Sequence, residues 1–178
     1  MSVMNAGGTP GAVRVGAQLP AYPGAAQALL WLSAHGGCGA TTLQAATGLG
    51  SEDAHLLPIA NALCPVPVLV VARTHAHGLI CAQQLAARAA GSGLALAAAY
   101  RLAGLVLVAD APGKLPKPLA ELAQLVSGGY PRAWRVPYVE AWRLGEPPSA
   151  ANTPGVVARI GQDLAKASAA IDLRGRPQ

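Results

Sequence analysis

Short apolar runs, each cut off by glycine, proline or aspartate, alternate along this 178-residue chain with stretches of helical period. The first run, Ala28-Leu-Leu-Trp-Leu-Ser-Ala34, is apolar on both sides and is followed at once by glycines. A strand of that kind is buried on both faces, and such strands belong to parallel sheets. A short helical stretch follows and ends near Gly48 and Gly50. Val66-Pro-Val-Leu-Val-Val-Ala72 predicts a second buried strand. Thr74 is placed to cap a helix over 76–90 that stops at Gly91 and Gly93. A third strand over 104–109 ends in Asp110-Ala-Pro-Gly113, and a helix over 118–126 sets Leu119, Leu122 and Val126 on one face. After the Gly128-Gly129 turn comes a fourth strand over 133–138. Thr153-Pro154 then opens a last helix with Val156, Ile160, Leu164, Ala167 and Ile171 in one stripe.

The order β-α-β-α-β-α-β-α predicts an α/β fold, a three-layer sandwich around a mainly parallel sheet. Residues 1–26, rich in Gly, Ala and Pro, read as a flexible lead-in. Residues 27–172 read as one domain and 173–178 as a tail.

Composition narrows the class. Hydrophobic residues are 52% and charged residues 12%, so wholesale disorder is excluded. Aromatics are only 4%, without a single Phe, so the core is built from Ala, Leu and Val. The Ala, Gly and Pro content, with arginine far outnumbering lysine, reads as a GC-rich genome such as that of an actinobacterium. Cys38, Cys64 and Cys81 lack CxxC spacing, and His35, His55, His75 and His77 lack a metal pattern. No basic stretch precedes an apolar leader, and the oily stretch around 94–109 is broken by Arg101 and Gly104. The expectation is a cytoplasmic protein without membrane insertion. A net charge of +5 permits contact with nucleic acid, for which Arg132, Arg135, Arg143, Lys114 and Lys117 are the candidate rim.

The chemistry gathers after the first strand, in His35-Gly-Gly-Cys-Gly-Ala-Thr-Thr42. Glycines let consecutive backbone N–H groups turn inward into an anion nest, and a helix N-terminus adds positive potential. The expected site comprises Gly36, Gly37, Cys38, Gly39, Ala40, Thr41 and Thr42, with the Thr41 hydroxyl on a metal ion.

Across His35 to Thr42 the segment resembles, position by position, the deviant Walker A motif K-G-G-x-G-K-T-T of the ParA/MinD ATPases. The resemblance implies a shortened P-loop NTPase-like fold and ATP or ADP with Mg2+. His35 stands in the place of the family's signature lysine, and Ala40 in that of the lysine common to P-loops. A hydrogen bond to a charged group is worth roughly 1.5–3 kcal/mol, so losing two weakens nucleotide binding by several orders of magnitude. Downstream, Gly104-Leu-Val-Leu-Val-Ala-Asp110 is similar to the strand whose last polar residue contacts the base. Arg135-Val-Pro-Tyr138 is similar to the later strand beside it, which adds Asp110 and Pro137 to the site. A Walker B role for Asp110 stays open. No strand with D-x-P lies between Thr42 and Val66, where Glu52 and Asp53 come too soon after the loop.

Leu107-Val-Ala-Asp-Ala-Pro-Gly113 and Trp134-Arg-Val-Pro-Tyr-Val-Glu-Ala-Trp142 also resemble uncharacterised actinobacterial proteins that accompany conjugation or secretion genes. Together the resemblances imply a non-catalytic protein that pairs with an ATPase or secretion component. Two alternatives stand beside it. One is an ATPase that recruits Lys114 or Lys117, and the other a non-specific DNA-binding module.

Overall fold

A computed structural model describes residues 29–52, 65–91 and 100–172. The expected tails lie outside them. Four strands, β1 (Leu30–Ser33), β2 (Val66–Arg73), β3 (Tyr100–Val108) and β4 (Ala133–Val136), pair in sequence order, every pair parallel. The helices are α1 (Ala40–Thr47), α2 (Ala76–Gly91), α3 (Lys117–Gly128), a single turn α4 (Glu140–Arg143) and α5 (Gly155–Asp172). The α/β fold with a parallel sheet therefore stands. Three details differ from expectation. β3 begins at Tyr100, β4 stops at Val136 because Pro137 carries no N–H for a ladder, and α4 has too few residues to leave a periodic trace.

The core lies on both faces of the sheet, in two layers of apolar contact. On one face Trp31, Leu69, Val71, Val106 and Val136 pack with Leu43 of α1 and with Val157 and Ile160 of α5. On the other, Val70, Ala72, Leu105 and Leu107 pack with Leu79 and Ala82 of α2 and with Ala123 and Val126 of α3. Alternate residues of β2 and β3 serve opposite faces, which is why those strands read as unbroken apolar runs. Fully burying a side chain such as Leu79 or Ile160 contributes about 1.5–3 kcal/mol. Of the expected α5 stripe, Val156, Ile160 and Leu164 join the core, while the side chains of Ala167 and Ile171 lie outside the described residues.

After α1 the chain returns to the outer edge of β1. Ser51 bridges Leu30 in parallel, its N–H donating to the Leu29 carbonyl and its carbonyl accepting from the Trp31 N–H. Gly50 makes this approach possible, since a β-carbon there would lie 2.3 Å from the Leu29 oxygen and its φ is +70°. The chain thus leaves β1 in one direction and β2 in the other, toward β3. Crossovers of one hand that run in opposite directions place their helices on opposite faces, as α1 and α2 are placed. The point of divergence lies at the carboxyl ends of β1 and β2, where open α/β sheets bind ligands.

Candidate functional site

The glycine segment turns from β1 into α1 as expected. Gly37 (φ +73°) and Gly39 (φ +99°) take left-handed backbone that only glycine adopts without strain. Cys38 tucks inward and is buried, as is Ala40 at the first position of α1. Burial removes Cys38 from the exposed setting that would suit a redox thiol. It also makes position 40 a core position, packed with Leu43 and Val71, rather than one that opens toward a ligand.

His35 is tied to protein backbone through both ring nitrogens. The Arg73 N–H donates to Nε2 at 3.1 Å, and Nδ1 lies 2.9 Å from the Gly36 carbonyl oxygen. A backbone N–H can only donate, so Nε2 is the bare nitrogen and Nδ1 carries the proton given to Gly36. In this arrangement His35 has no ring N–H left for a phosphate. It is half-buried. Gly78 packs directly over it, since a β-carbon there would approach Nε2 to 2.8 Å and the Arg73 carbonyl oxygen to 2.4 Å.

The cation that reaches the loop comes from β2. Arg73 directs Nε at the Gly37 carbonyl (3.4 Å) and Nη1 at the Ala109 carbonyl (2.9 Å), so its guanidinium spans from the glycine loop to the end of β3. It forms no ion pair among the described residues. Sequence reasoning missed it. The available signal was a lone arginine closing an otherwise apolar buried strand. The two lysines considered as substitutes lie elsewhere: Lys117 pairs with Glu121 at 3.9 Å on α3, and Lys114 lines a groove on the far face of the sheet.

Thr41 donates to Glu52 at 2.6 Å, and Ser33 reaches the other oxygen of the same carboxylate at 3.3 Å. Glu52, expected to come too soon after the loop for a Walker B position, thus lies beside the loop's own threonine. The Ser51 bridge folds it back alongside β1. Two hydroxyls and a carboxylate are hard oxygen donors of the sort Mg2+ accepts. Among the described residues, no group of three His, Cys, Asp or Glu is placed to hold a metal.

Thr42 faces the crevice between the loop and the ends of β3 and β4, with Gly39, Arg73, Pro137 and Trp142. Its volume is about 30 Å3, against roughly 300 Å3 or more for a small-molecule pocket. Asp110 is exposed and anchored by its backbone, the N–H donating to the Thr74 hydroxyl at 3.1 Å. Thr74 is thereby spent on joining β2 to β3. It is His75 that caps α2, accepting the Gly78 N–H at Nδ1. Pro137 lies between two cavities, this crevice and the groove that contains Asp110. Asp110 and Thr42 thus open onto different spaces.

A family model matches residues 28–171. The chain belongs to the family of unknown function DUF6668. That match spans the whole described sheet and every helix up to the last residue of α5. No curated protein and no solved structure was found to match. Membership therefore groups this glycine loop with its sheet in one family, and the chemistry rests on the geometry above. Of the expected rim, Arg132 pairs with Asp163 at 3.5 Å, which leaves Lys114, Arg135 and Arg143 without ion pairs among the described residues. No helix among the described residues is long and apolar enough to cross a membrane.

Proposed function

We propose that this chain is a ParA/MinD-like P-loop protein that has given up nucleotide hydrolysis and acts by binding, as an interaction or regulatory component. One observation carries this. The Arg73 guanidinium lies across the glycine loop, hydrogen-bonded to Gly37 and Ala109, and leaves about 30 Å3 beside Gly39 and Thr42. The loop keeps its left-handed glycines but has Ala40, packed in the core, where the resemblance calls for a phosphate-binding lysine. His35 spends its ring on backbone. The loop then serves to join β1, β2 and β3 at their carboxyl ends, and a protein partner meets the surface so formed.

A second reading has its own support. Arg73 carries no carboxylate partner among the described residues, so a small anion that displaces the two carbonyls would find an intact nest and a cation. Calorimetric titration of the full chain with ATP, ADP and pyrophosphate, each with Mg2+, beside the Arg73→Ala variant, separates the two. The interaction reading expects no saturable heat with any of the three and no phosphate release from ATP. Pyrophosphate binding that disappears in Arg73→Ala favours the anion site. Turnover of ATP by the natural chain overturns the first reading.

A further inference from the structure

A ligand-sized cavity lies away from the glycine loop, on the face of the sheet that carries α2 and α3. It is a groove of about 420 Å3 at the carboxyl ends of β3 and β4, within the range of small-molecule sites. Its floor is apolar: Leu107 of β3, Leu115 ahead of α3, and Leu119 and Ala123 of α3 itself. Its rim is charged. Lys114 stands in the β3–α3 loop, Arg135 projects from β4, and Asp110 follows β3.

Three observations give the rim a sign. Lys114, Arg135 and Asp110 form no ion pairs among the described residues, so two cations face one carboxylate without neutralisation. The twelve-residue α3 begins beside the groove with no side-chain cap and no acidic residue in its first turn. The Lys117 and Leu119 N–H groups of its first turn, where Pro118 has none, and the positive end of its dipole therefore add to the same field. All of this borders an apolar floor, where an unpaired charge interacts more strongly than in open water.

We infer that this groove binds a small anionic amphiphile, a carboxylate head on an apolar chain. The chain lies on Leu107, Leu115, Leu119 and Ala123, and the carboxylate sits between Lys114 and Arg135. Apolar burial supplies affinity, and the two cations select an acid over the neutral molecule of the same length. The inference does not rest on the glycine loop, whose crevice opens on the opposite face; the two cavities share Pro137, and Arg73 of the crevice donates to Ala109 of the groove.

The test is a two-dimensional amide NMR titration of the full chain with octanoate and, separately, with octanol. Saturable octanoate shifts are expected at Leu107, Lys114, Leu115, Leu119, Arg135 and Val136, with octanol at least tenfold weaker. The double variant Lys114→Glu, Arg135→Glu changes exposed side chains only, and is expected to lose octanoate affinity at least tenfold while its remaining amide peaks hold their positions. Should that variant fold poorly, salt gives a second readout on the natural chain. Octanoate affinity then falls with rising ionic strength and octanol affinity does not. Absence of saturable shifts, shifts centred outside the groove, equal affinity for acid and alcohol, or indifference to both charge reversal and salt would overturn the inference.

Discussion

At the scale of single residues, His35 and Tyr130 each make a side-chain hydrogen bond to the backbone of another element. The Arg73 N–H donates to His35 Nε2 at the point where β2 ends and the glycine loop crosses over. Removing the ring in His35→Ala strands that donor in a half-buried position and frees the Gly36 carbonyl. A loss of about 1–3 kcal/mol is expected, measured as a lower midpoint in urea unfolding. Tyr130 is buried and donates its hydroxyl to the Ala82 carbonyl at 2.6 Å, tying the end of α3 to α2. Burial raises its ionisation well above the ordinary phenol range near 10.0. With the folded value raised, the contribution of Tyr130 is complete below the unfolded value and is lost as pH climbs past it. Urea midpoints should therefore fall above roughly pH 10. Tyr130→Phe should lower stability by about 1 kcal/mol at neutral pH and flatten that alkaline decline. An equally steep decline in the variant would assign it to other groups.

At the scale of elements, pairs of glycines separate close approach from free space. Trp134 of β4 lies over Gly104 of β3, where an added β-carbon would come within 2.5 Å of the indole ring and 2.9 Å of the Arg132 carbonyl. The indole is held by its own N–H bond to Asp163 of α5, so it does not swing aside freely. Gly104→Ala is expected to cost about 1–3 kcal/mol. Gly128, at the end of α3, has nothing within 4 Å of its would-be β-carbon and ordinary helical backbone. Gly128→Ala is expected to gain a few tenths to about 1 kcal/mol. Thermal unfolding of the two variants beside the natural chain reads both signs in one series. The same elements mark how far the sequence could be read. Val66 to Ala72 and Leu105 to Val108 announce buried strands because both faces of the sheet are covered, and a run with no polar interruption has few other places in a fold. The left-handed turns were legible because Gly37 and Gly39 admit what other residues resist. Arg73 and Glu52 were not, since each meets the loop through one polar side chain brought in by pairing far along the chain. Arg73 reaches Ala109 across 36 positions, and no period records such a contact. α4 was lost for a simpler reason, as four residues are barely one turn.

At the scale of the whole molecule, the sheet divides the core into two layers that share β2 and β3 and little else. Leu79 belongs wholly to the layer under α2 and α3, and Ile160 wholly to the layer under α1 and α5. Both are fully buried. Leu79→Ala is expected to cost about 2–5 kcal/mol and Ile160→Val about 0.5–1.5 kcal/mol. A sheet whose side chains alternate faces could pass strain from one layer to the other only by moving its backbone. The parallel ladder of β2 resists that, paired as it is on both edges by β1 and β3. The double variant should then lose the sum of the two costs to within about 0.5 kcal/mol, in one cooperative transition. A coupling energy above about 1 kcal/mol would show that the layers communicate. The glycine crevice and the charged groove, which lie on opposite faces and meet at Pro137, would in that case be able to sense each other's occupants. Additive losses instead leave Ala109, which lines the groove and accepts a hydrogen bond from Arg73, as the direct route by which a groove ligand reaches the loop.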